Sequence, residues 1–125
     1  MKALVVDDSA AVRSYLRKIL SAIGFDVIEA GNGREGMDRL RGNTPVNLVL
    51  LDWSMPEVDG MELLSRMRCD PIFNDVSIMM VTTERETSEI SSALNLGANE
   101  YVMKPFTPEI IQQKLQLLGF AVPQG

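Results

Sequence analysis

The chain has 125 residues, 46% of them hydrophobic and 23% charged, a balance that suits one compact soluble domain with its own core. Its net charge of −5 disfavours direct nucleic-acid binding, and no apolar run is long enough to cross a bilayer. There is no histidine, and the single cysteine, Cys69, cannot form an internal disulfide. Any metal must therefore be held by oxygen atoms, which points to Mg²⁺, Ca²⁺ or Mn²⁺ and away from zinc. The start meets acids by position 7, too early for a secretory leader, so a cytoplasmic location with no membrane partner is expected.

In chain order, ALVV (3–6) predicts the first strand, and Asp7 and Asp8 follow it. Ser9 offers an N-cap, and Val12, Leu16, Ile19, Leu20 and Ile23 share one helical face that ends at Gly24. FDVIEA (25–30) predicts the second strand, followed by a glycine-rich turn and a shorter helix carrying Met37 and Leu40. NLVLL (47–51) is continuously apolar, as a strand buried on both faces would be, and Asp52 comes straight after it. Met61, Leu64 and Met67 mark a third helix. VSIMMV (76–81) is the fourth strand, followed by Thr82 and Thr83. A helix with Ile90, Ala93 and Leu94 ends at Gly97. EYVM (100–103) is the fifth strand, followed by Lys104 and Pro105. Thr107 and Pro108 form an N-cap and N1 pair for a last helix with Ile111, Leu115 and Leu118.

Strands alternating with helices predict an α/β fold, a (βα)5 doubly wound parallel sheet with helices on both faces. Ligands of such sheets bind beyond the carboxyl ends of the strands. Were the strands ordered 2-1-3-4-5, Asp7, Asp8 and Asp52 would meet at one side of a crevice, with Thr82 and Lys104 on the other. Spacing alone does not dictate that order. Three clustered carboxylates repel one another, and one lysine balances only one of them. A divalent cation completes the balance, and an ionised aspartate beside it has the chemistry of a nucleophile toward a phosphoryl group. Taken singly, each of these residues has a plainer role as turn, cap or solvated surface. Their convergence on one rim carries the reading.

The stretches DD (7–8), LLDWSMPEVDG (50–60), MMVTTE (79–84) and NEYVMKPFTP (99–108) closely resemble the receiver domain of bacterial two-component response regulators, over about Lys2 to Leu118. The resemblance implies the flavodoxin-like strand order 2-1-3-4-5, which is carried over from the family, itself a standard example of that topology. It implies one receiver domain over 1–120 with a short tail over 121–125. It implies a signalling protein and not an enzyme. Asp52 would be the phosphoacceptor, with Asp7, Asp8, Asp52 and the main-chain carbonyl of Ser54 binding Mg²⁺, or Mn²⁺ in its place. Lys104 and Thr82 would act on the phosphoryl group. Thr82 and Tyr101 would form the switch, altering a face that includes Ile90, Tyr101, Met103 and Lys114. A cis Lys104–Pro105 bond is also implied.

The partners implied are a sensor histidine kinase as phosphodonor, a downstream protein such as a flagellar switch component, and a phosphatase. Trp53 and Glu84 are residues of the chemotaxis branch, whereas serine at position 54 is less typical of it. Thr83 stands where the family usually has a smaller residue, so it should crowd the approach to Asp52. An alternative is a receiver cut from a longer regulator with a DNA-binding or enzymatic output. A phosphatase of the haloacid dehalogenase type is more remote, because its nucleophile lies in a DxD motif after the first strand and this chain has DDS there.

Overall fold

A computed structural model describes residues 1–43, 45–53, 60–83 and 90–122. Its strands are β1 (Lys2–Val6), β2 (Asp26–Ala30), β3 (Leu48–Asp52), β4 (Ser77–Thr82) and β5 (Glu100–Met103). Its helices are α1 (Ala10–Ile23), α2 (Gly33–Gly42), α3 (Gly60–Arg68), α4 (Ile90–Leu96) and α5 (Pro108–Leu117), with a 3₁₀ turn at Pro71–Phe73. All strand pairings are parallel, in the order β2-β1-β3-β4-β5. The sheet is thus the expected five-stranded, flavodoxin-like α/β arrangement.

The strand pleat sorts side chains to the two faces. Val49, Leu51, Ile78 and Met80 join α2 and α3 residues such as Leu40, Leu63 and Leu64 in one core cluster. Leu48, Leu50, Met79 and Val81 join Leu16, Leu20, Ile111 and Leu115 of α1 and α5 in the other. All five residues of β3 are buried, which explains the unbroken apolar run before Asp52. Edge strand β2 keeps only Ala30 fully buried.

The helix signals act as local chemistry requires. Ser9 Oγ accepts from the Val12 amide at 3.3 Å, and Thr107 Oγ1 accepts from Ile110 at the same distance. Gly24 ends α1 at φ +119° and Gly97 follows α4 at φ +116°, conformations natural to glycine. Two strand ends differ from the sequence expectation. Asp52 and Thr82 are the last strand residues and not the first loop residues, because pairing runs one residue further, with Asp52 opposite Val81 and Thr82 opposite Met103. Leu94, placed on the inner face of its helix by spacing, is 43% exposed, because in the short α4 only Ala93 is fully buried. Cys69 is an exposed free thiol. No helix among the described residues is long and apolar enough to span a membrane.

Candidate functional site

Register brings the acids together. Val6 pairs with Leu51, so Asp7 and Asp52 succeed paired residues on neighbouring central strands. Both follow a residue of the α2–α3 core cluster, so pleat parity turns both toward the opposite side of the sheet, where α1 lies. Ligand oxygens of Asp7, Asp8 and Asp52 lie within 4.8 Å of one another. Asp7 and Asp52 are buried, whereas Asp8 is exposed.

Lys104 arrives from the end of β5. Its amide donates to the Thr82 carbonyl at 2.7 Å, continuing the β4–β5 pairing past the strand end. The Lys104–Pro105 peptide is cis, as the resemblance implied. The ammonium stands 3.3 Å from Oδ2 of Asp7 and 3.4 Å from Oδ1 of Asp52. It donates a hydrogen bond to Asp52, and its contact with Asp7 is an ion pair. Asp7 Oδ1 accepts from the Ser9 amide at 2.8 Å, so one oxygen is occupied locally and the other, buried, has only the Lys104 ion pair among the described residues.

The electrostatics follow from that crowding. Burial raises the Asp52 carboxyl, the Asp7 charge raises it further, and Lys104 only partly opposes them, leaving the pKa at about 6. Burial pulls the Lys104 ammonium down, but Asp52 and Asp7 outweigh it, so its pKa is raised. A site that retains a proton this readily is short of positive charge. The donors are all carboxylate oxygens, Asp7 Oδ2 is buried without a hydrogen bond, and Asp8 opens to solvent. These residues fit a hard divalent cation of the Mg²⁺ class, which Asp7, Asp8 and Asp52 could hold.

The surrounding residues sort as follows. Thr82 is fully buried at the end of β4, one residue beyond the partner of Asp52, and its hydroxyl donates to the Thr83 carbonyl at 3.1 Å. Trp53 is buried, and its amide donates to Val81 at 2.9 Å. Tyr101, opposite Met80 on edge strand β5, is half-buried against the α2–α3–α4 cluster. The Lys114 ammonium lies 4.6 Å from the centre of the Tyr101 ring and 3.0 Å from Glu100. Met103 is exposed and Ile90 partly so. Ser54, expected to offer its carbonyl to the metal, and Glu84, noted as a residue of the chemotaxis branch, lie outside the described residues.

Three contributors were not singled out from the sequence. Gly60 opens α3 where any Cβ would collide with the Asp52 carbonyl. Its place in the VDG triplet was the available signal. Arg13 donates to the Asp7 carbonyl at 2.6 Å. Arg68 donates to Phe73, Val76 and Gly97 carbonyls and to Asn99 Oδ1, all at 2.8–2.9 Å. Arginines on helices read as solvated surface, and nothing local marks them otherwise.

Comparison with known proteins matches residues 3–116 to the family described as response regulator receiver domain. The chain belongs to that family. This receiver domain is 42% identical to the chemotaxis protein CheY homolog of Campylobacter jejuni, over all of this chain and 98% of that one. It is 40% identical to chemotaxis protein CheY1 of Helicobacter pylori, covering 94% of this chain and 96% of that one. Among solved structures it is similar to chemotaxis response regulator CheY4 of Vibrio cholerae. That likeness has a TM-score of 0.86 at 29% identity, and it covers 94% of this chain and 97% of that one. As a receiver, the chain is a signalling domain and not an enzyme, and its acidic cluster is of the kind a phosphorylation switch requires. The family implies a histidine kinase upstream and an effector downstream.

Proposed function

We propose that this receiver is a Mg²⁺-dependent switch of chemotaxis type, phosphorylated on Asp52. The observation that carries the reading is the meeting of Asp7, Asp8 and Asp52 beside the Lys104 ammonium at the carboxyl end of the central strands. The CheY names of relatives at 40% and 42% identity support the chemotaxis assignment.

In this reading an Asp52 carboxylate oxygen attacks the phosphorus of a phosphohistidine on the partner kinase. The new O–P bond forms as the P–N bond breaks, and the imidazole nitrogen leaves with the electron pair. Bound at the acidic cluster, Mg²⁺ supplies charge neutralisation for the carboxylates and the phosphoryl oxygens. Lys104 stands within reach of both Asp7 and Asp52, so its ammonium is placed to meet a phosphoryl oxygen on Asp52.

The product carries about two extra negative charges and new acceptor oxygens. Thr82 ends the neighbouring strand, and its hydroxyl, which donates to the Thr83 carbonyl at 3.1 Å, can turn to donate to a phosphoryl oxygen. Tyr101 pairs with Met80, two residues before Thr82 on β4, so the two side chains share a sheet face, and its half-buried ring lies 4.6 Å from the Lys114 ammonium. A change in that ring alters the surface made by Ile90, Tyr101, Met103 and Lys114. A downstream protein such as a flagellar switch component would read that surface. Water attack on phosphorus, promoted by a phosphatase, restores the Asp52 carboxylate.

The test is incubation with Mg²⁺ and acetyl phosphate followed by intact-mass measurement. A phosphoryl-sized adduct on the wild type, absent from Asp52→Asn, is expected. No adduct on the wild type would sink the phosphoacceptor assignment.

A further inference from the structure

The phosphoryl chemistry proposed for Asp52 makes no use of Arg13. Its side chain is only 20% exposed, low for an arginine on a helix. The guanidinium spans two elements. Nη1 donates to the main-chain carbonyl of Asp7 at 2.6 Å, and Nε donates to Oε1 of Glu29 on β2 at 3.2 Å. Glu29 is in turn held by Arg17 Nε at 2.6 Å, and its pKa is lowered, chiefly by that hydrogen bond, so the anchor stays ionised. The fork is therefore fixed at one end and grips a backbone oxygen with the other.

That oxygen belongs to the peptide joining Asp7 to Asp8. The Asp7 amide donates to the Ala30 carbonyl at 3.1 Å, which pins the residue on its amide side. Arg13 pins it on its carbonyl side. Rotating this peptide plane would swing the Cα–Cβ bond of Asp8. Asp8 is exposed, and the main chain beneath it sets where its rotamers can place the carboxylate.

We propose that Arg13 is a positioning residue for the acidic cluster: by gripping the Asp7 carbonyl it sets the direction in which Asp8 offers its carboxylate to a divalent cation. The inference rests on the reading of this cluster as an Mg²⁺ site. Groups that orient ligands from behind commonly govern metal affinity about tenfold or more. The rival is a bystander arginine, whose positive charge near the site can only repel a cation. The two ideas predict opposite signs. Neutralising a bystander tightens metal binding, whereas removing a grip loosens it.

The experiment is calorimetric titration of MgCl₂ into chelator-treated wild type, Arg13→Gln and Arg13→Lys, with amide hydrogen exchange followed by NMR on the same samples. Weakening of about tenfold in both variants is expected, with faster exchange at the Asp7 and Ser9 amides. Lysine keeps the charge but cannot span Glu29 and the Asp7 carbonyl as the fork does. Unchanged affinity in Arg13→Lys, with equal or tighter binding in Arg13→Gln, overturns the inference and leaves the metal site standing. No binding to the wild type overturns the metal reading itself and the inference with it. If Arg13→Gln does not fold, Arg13→Lys decides. If neither variant folds, Arg13 is a folding residue and the inference falls.

Discussion

Asp52 is held at a cost. With its pKa raised from the ordinary 3.8 to about 6, the folded protein binds this proton more tightly than the unfolded chain does. The stability that protonated Asp52 contributes is complete below pH 4 and is lost as pH rises through about 6. At neutral pH without metal, the ionised group therefore opposes folding by about 3 kcal/mol at most, less where solvent screens it. Asp52→Asn should raise the melting temperature of chelator-treated protein at pH 7.5 by about 5–10 °C, with the gain fading toward pH 4.5. Scanning calorimetry at both pH values checks the sign. Gly60 acts on the same residue by being small. A Cβ there meets the Asp52 carbonyl, a backbone atom that cannot rotate away. Gly60→Ala should destabilise by about 3 kcal/mol in urea unfolding and weaken Mg²⁺ binding, because relief moves the end of β3. The acids, Thr82 and Lys104 were legible as strand-end residues. Gly60 was visible only as a letter in a motif, since the collision involves a backbone atom eight residues away.

At the scale of elements, the strands and most helix faces were readable because burial on two sides leaves long apolar runs, and capping residues mark the ends. The ties between elements were not readable. Arg68, at the end of α3, holds the carbonyls of Phe73, Val76 and Gly97 and the side chain of Asn99. Asn99 Oδ1 also accepts from the Ile78 amide at 2.8 Å, where β4 begins. One guanidinium thus joins α3, the 3₁₀ turn and the entries to β4 and β5. Its partners are neutral oxygens, scattered in sequence, so no charge pattern announces them. Arg68→Ala should cost about 3 kcal/mol, since several carbonyls lose a charged donor at once. The urea slope should stay unchanged while amide exchange quickens around Gly97 to Glu100. Arg68→Lys should recover only part, because an ammonium cannot present the same flat fork. Full recovery by lysine would show that charge, and not shape, matters there.

For the whole molecule, strand order is what converts scattered acids into one site, and it was the part that spacing could not supply. It came through the family resemblance, and the parallel pairings β2-β1-β3-β4-β5 agree with it. That order gathers three carboxylates and one ammonium at the top of the sheet, so any cation the cluster holds is coupled to folding stability. A cation that binds only the folded form stabilises it by about 2.7 kcal/mol at a hundred times its dissociation constant. Saturating Mg²⁺ should therefore raise the melting temperature of the wild type, and excess chelator should reverse the rise. Protons compete for Asp52 below about pH 6, so the rise should shrink between pH 7.5 and 5. If the cluster holds Mg²⁺ as proposed, Asp8→Asn should lose most of it, because it removes the solvent-facing carboxylate of the cluster. Lys104→Met separates charge balance from ligand geometry. Without the ammonium that faces Asp7 and Asp52, the metal-free protein should melt lower, and the Mg²⁺-induced rise should be larger than in the wild type. A smaller rise in Lys104→Met would mean that lysine helps to build the cation site and does not merely stand in for the missing charge.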